Sequence, residues 1–177
     1  MRYTLLIAAL AASVATPAFA QVATASVNNA TVKGTVLLPL TLSETQKLDF
    51  GTVIASTTAA GNVVIDAATG NRTFPNGNVI GVPANPGQNG TFQGAGTAGK
   101  NVTLTLSYPA VLNSGTNTLA VNSMTFDGCA SGCTTATRVL DPTTGAFTVG
   151  VGGDFQIAQN QPNGVYSSTY SVTADYQ

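Results

Sequence analysis

Apolar and polar residues alternate one for one along most of this chain, and a period of two predicts β-strands. From Thr31 to Leu42, Val32, Gly34, Val36, Leu38, Leu40 and Leu42 fall on one face. Leu48–Ile54 predicts a second strand, interrupted at Gly51, and Asn62–Asp66 a third. Short strands are expected at Arg72–Phe74 and Val79–Val82. Val102, Leu104, Leu106 and Tyr108 alternate cleanly with Thr103, Thr105 and Ser107, and Leu119–Phe126, Phe147–Val151 and Phe155–Ala158 add further strands. Residues 83–100, rich in proline and glycine, predict a loop with a brief strand around Phe92. No helical stripe of convincing length interrupts the series.

The final segment carries the clearest alternation. After a turn at Gln161-Pro162-Asn163-Gly164, Tyr166, Ser168, Tyr170, Val172, Ala174 and Tyr176 share one face. Val165, Ser167, Thr169, Ser171, Thr173 and Asp175 share the other. Exposed strand edges are normally blocked by charge, proline or a bulge, and Asp175 is the only charge here. Two readings stay open: the strand is paired on both sides by its own chain, or a second chain completes its edge. Strands this short, separated by Asn-Gly, Pro and Gly, predict an all-β fold, a sandwich of two antiparallel sheets.

The start of the chain follows a different pattern. Met1-Arg2, the apolar run Leu5–Ala12 and the small residues of Ala18-Phe19-Ala20 read as a secretory signal cleaved between Ala20 and Gln21. The run is short of the roughly 20 apolar residues needed to span a bilayer. The expected organisation is a signal peptide at 1–20, a flexible extension at 21–30 and one sandwich domain at 31–177, with no integral membrane segment after cleavage. The product is exported, to the periplasm, the outer cell surface or the medium.

Charge narrows the function. The 177 residues hold six basic and seven acidic side chains. Without Arg2 the mature domain carries a net charge of about −2, which excludes a polybasic nucleic-acid or lipid surface. A chain with 7% charged residues, rich in Thr, Asn, Ser and Gly, suits a surface covered in an assembly. Cys129 and Cys133 flank a three-residue spacer beside Gly128 and Gly132, and in an oxidising compartment they are expected to form a local disulfide. The spacing is not that of a redox pair, and no basic neighbour lowers a thiol pKa.

Catalytic chemistry finds little to use. There is no histidine, Glu44 is the only glutamate, and six aspartates are scattered through strand ends and turns. No acid cluster has calcium-loop spacing. Gly150-Val151-Gly152-Gly153 lacks the Lys-Ser/Thr of a phosphate loop and reads as a bulge or turn. No enzyme activity, metal or cofactor is expected. The candidate ligand surface is the loop 83–100, rich in Asn, Gln and Gly with Lys100 as its one charge, and with Phe92 as a ring on which a glycan would stack.

Three stretches together carry a resemblance: Leu48-Asp49-Phe50-Gly51-Thr52-Val53, Phe147–Gly153, and Asn163–Tyr176. Over residues 30–177 the chain resembles a family of secreted proteobacterial domains of unassigned function, similar to spore-coat protein U and to chaperone–usher pilin subunits. The resemblance implies an immunoglobulin-like sandwich that lacks its last strand, supplied by a periplasmic chaperone and then by the next subunit's N-terminal extension. It implies that Phe50-Gly51 form core and bend, and that Tyr166, Tyr170, Val172 and Tyr176 mark the assembly strand. A donor must alternate bulky apolar residues. Residues 21–29 offer only Val22 and Val27, of opposite parity, so Val32–Leu42 is the donor candidate. The leading expectation is a fimbria-like fibre subunit that self-associates by strand addition. The alternative is a monomeric exported binding module, an adhesin or glycan-binding sandwich, using residues 83–100 or the Cys129–Cys133 loop.

Overall fold

Among the described residues twelve strands form in the order β1 (Thr41–Gln46), β2 (Val53–Ile54), β3 (Gly61–Ile65), β4 (Arg72–Thr73), β5 (Ile80–Gly81) and β6 (Gly90–Ala95), followed by β7 (Asn101–Ser107), β8 (Val111–Ser114), β9 (Asn117–Phe126), β10 (Thr135–Val139), β11 (Ala146–Ile157) and β12 (Ser171–Tyr176). This computed structural model describes residues 25–26, 29–130 and 132–177. The chain divides into Met1–Thr35 and Val36–Gln177, and the fold belongs to the second unit. The signal residues Ala18, Ala20 and Gln21 lie outside the described residues.

The result is an all-β sandwich. One sheet has seven strands, with β11 at its centre pairing β6 over Ala146–Val151, β3 over Gly153–Ile157 and β9 over Val151–Gln156. The second sheet runs β10-β7-β12, and β2 with β5 makes a small ribbon. All ladders are antiparallel. The period-two pattern explains the core. Val102, Leu104 and Leu106 of β7 turn inward to meet Phe126 and Met124 of β9 and Val149, Val151 and Phe155 of β11, all buried. Each such side chain contributes about 1.5–3 kcal/mol by leaving water.

Several strand boundaries differ from those the alternation predicts. Residues 31–40 have no ladder: Val32 is 98% exposed, Val36 95% and Leu38 63%, and the strand begins only at Thr41. Only Leu40 of their apolar face packs against the core, so periodicity alone does not make a strand there. The brief strand expected around Phe92 within 83–100 is present as β6, Gly90–Ala95, and it buries Phe92. Gly150–Gly153 form neither bulge nor turn but the buried middle of β11. A Cβ at Gly150 or Gly152 would collide with the carbonyls of Ala67 and Ile65, so only glycine lets that chain cross so closely.

Two tight turns share one design, one joining the paired strands β3 and β4 and the other leading from β10 into β11. In Asp66-Ala67-Ala68-Thr69-Gly70 and Asp141-Pro142-Thr143-Thr144-Gly145 the aspartate Oδ1 accepts from two backbone N–H groups and from the threonine hydroxyl. The glycine N–H then donates to the aspartate carbonyl in each. These bonds hold both carboxyls below their ordinary pKa, the backbone donors of Thr69 and of Thr144 contributing most.

Candidate functional site

β12 is the element on which assembly would turn. Among the described residues it pairs with β7 alone, Ser171 opposite Ser107 through Tyr176 opposite Val102. The Gln177 N–H donates to the Asn101 carbonyl, so backbone groups of odd-numbered residues face β7. By alternation, the N–H and C=O groups of Val172, Ala174 and Tyr176 face the other edge. That edge has no ladder partner among the described residues. β1 is likewise paired on one side only, with β6.

The open edges of the two sheets approach each other through side chains. Tyr176 donates its hydroxyl to the Leu38 carbonyl at 2.9 Å and accepts from the Thr97 N–H at 2.6 Å. The Tyr170 hydroxyl donates to Glu44 Oε1 at 3.4 Å, and its ring meets Phe92 edge-on at 5.9 Å. Burial first, and the Glu44 charge second, push the Tyr170 phenol above its ordinary pKa. Leu40, Leu42, Val172 and Ala174 remain only half-buried between the edges.

Of the predicted assembly residues, Val172 and Tyr176 lie in β12 and Tyr170 just before it. Tyr166 does not belong to the strand. It sits in the preceding loop, where its hydroxyl accepts from Gln161 and donates to the Pro162 carbonyl. Phe92 is corrected as well: its ring lies in the core, 9% exposed, and offers no stacking surface. Cys129 and Cys133 are joined in an exposed loop, as the sequence predicts.

A cleft lies between two loops over the seven-stranded sheet. Asp49–Ala55 form one wall, Gln161–Tyr166 the other, and Leu119 and Ile157 line it from β9 and β11. The cavity measures about 650 Å³, and a smaller one of about 140 Å³ lies beside it against Tyr170. Arg72 holds the first wall, donating to the carbonyls of Phe50, Thr52, Val82 and Asn85. Gly51, at φ 73°, bends there because the Arg72 guanidinium and the Asn85 carbonyl leave no room for a side chain. The Arg72 network and the cleft escaped the sequence reading, since their partners are backbone atoms that composition does not mark. Among the described residues no three His, Cys, Asp or Glu side chains gather as a metal centre would need.

These features define a class: an all-β sandwich in which β12 and β1, edge strands of the two main sheets, each pair on one side only among the described residues, with a neutral cleft between loops. The chain belongs to the family described as domain of unknown function DUF4402, whose model matches residues 40–176. No curated protein and no solved structure matches it.

Proposed function

We propose that this chain is a structural subunit of an exported, cell-surface or extracellular fibre, assembled by adding a strand of one copy to the open edge of β12 in the next. The observation that carries this reading is the unpaired row of backbone groups at Val172, Ala174 and Tyr176, lying across half-buried apolar side chains from the unpaired edge of β1. Edges of this kind are templates for strand addition. The arrangement fits a pilin-like, immunoglobulin-like sandwich short of one strand. The donor is the segment from Val32 to Leu40, whose Val32, Val36 and Leu38 stand exposed without a ladder. A periplasmic chaperone would cover the same edge before assembly. The role is mechanical rather than catalytic.

The test is Ala174→Pro. Proline removes an N–H from the open edge while every N–H directed at β7 remains. Size-exclusion and electron microscopy of secreted material should show polymers for the native chain and folded single subunits for the variant. Polymers from both, or single subunits from both, would overturn the reading.

A further inference from the structure

From the cleft between Asp49–Ala55 and Gln161–Tyr166 we infer a second site, which binds the ring of a neutral sugar. It shares no residue with β1 or β12. At about 650 Å³ the cavity falls within the range of small-molecule sites and holds one or two sugar rings.

Its charge decides the ligand class. No lysine or arginine lines it, and the single acid, Asp49, has its Oδ1 engaged by the Gly51 N–H at 2.7 Å. An anion finds no counter-charge there, and a cation finds no cluster of acids. What the lining offers is a mixture: the rings of Phe50 and Tyr166 and the side chains of Leu119 and Val165, with the Asn85 and Asn163 amides. A sugar is amphipathic in the same way, packing its C–H face on apolar side chains while its hydroxyls bond to amides. Val165, 86% exposed, is the apolar side chain a ring would cover.

The walls are built before any ligand arrives. Gln161 donates to the Thr118 carbonyl and to the Tyr166 hydroxyl, and the Asn160 N–H donates to the Ser56 carbonyl. The opposite wall is tied by Arg72 and by the bond from the Thr52 N–H to the Asn85 carbonyl. A preformed site avoids the entropic cost of ordering loops on binding. A peptide strand would find little to extend: only the two residues of β2, Val53 and Ile54, offer a strand edge on one wall, and Pro162 on the other has no N–H.

Saturation-transfer NMR tests this with galactose, mannose, N-acetylglucosamine and cellobiose offered to the full chain, a measurement that works on single subunits and polymers alike. Val165→Glu places a charge at the cleft and, from so exposed a position, leaves the fold intact. Val139→Glu is the control at an equally bare site on β10, 66% exposed. The expected result is transfer to at least one sugar in the native chain and in Val139→Glu, and none in Val165→Glu. The assignment is overturned if no sugar receives saturation, if transfer survives Val165→Glu, or if a peptide of residues 31–42 displaces the sugar. Its failure leaves the fibre proposal standing, because that reading is judged by particle size.

Discussion

Arg72 has no carboxylate partner among the described residues, yet it ties three stretches of chain together through four carbonyls. Hydrogen bonds to a charged donor are worth about 1.5–3 kcal/mol each when isolated, but these share one side chain and are not additive. Arg72→Met is expected to cost about 3 kcal/mol in urea unfolding, because truncation also strands the carbonyls. Arg72→Lys should recover only part of that, since an ammonium cannot present the planar fork that reaches all of them. The two turn aspartates lead to a prediction in pH. Asp66 and Asp141 both titrate below the ordinary 3.8 in the folded chain, so the native state binds their protons more weakly than the unfolded state does. Their contribution is present above 3.8 and disappears as pH falls through the lowered folded values. Acid unfolding curves of the Asp66→Asn/Asp141→Asn double variant should therefore be flatter in that range than those of the native chain. The effect should be small, because both carboxyls are solvent-exposed.

Tyr170 makes the matching case at the level of an element, because it links the approach to β12 with β1. Its folded pKa is raised above 10.0, so its contribution is intact below that value and is lost as pH climbs past it. Stability measured from pH 9 to 12 should fall less steeply in Tyr170→Phe than in the native chain. The alternation of β7, β9 and β12 was legible because each buries one face and wets the other. β11 was read as two short strands because its glycines look like punctuation; they are strand residues forced small by the Ile65–Ala67 chain crossing them. β8 and β10 went unread: Asn113 and Ser114 blur the alternation in one, and Arg138 ends an already polar run in the other. The strand around Phe92 was legible but the burial of its ring was not, because the glycines beside it look like loop residues; Gly90 and Gly94 are small for the sake of Tyr170 and Phe147 packed against them. The repeated Asp-x-x-Thr-Gly was a usable signal, since it specifies a turn by its own side-chain bonds.

At the scale of the whole molecule, the open edges and the bare N-terminal segment are two halves of one proposal, and removing one half separates folding from assembly. The core cluster, the family match at 40–176 and the open edges of β1 and β12 lie on the C-terminal side of Pro39. Val32 and Val36, at 98% and 95% exposed, bury nothing that folding needs. A chain lacking residues 31–37 is therefore expected to unfold at the same urea concentration as the native chain. Leu38 is kept because its N–H donates to Thr97 and its carbonyl accepts from Tyr176. The shortened chain keeps the acceptor edge of β12 and has no donor, so mixed with the native protein it should terminate growing fibres, shortening them in proportion to its share. If the mixture grows fibres of undiminished length, the donor lies elsewhere in the chain; if the shortened chain forms fibres alone, N-terminal donation is wrong.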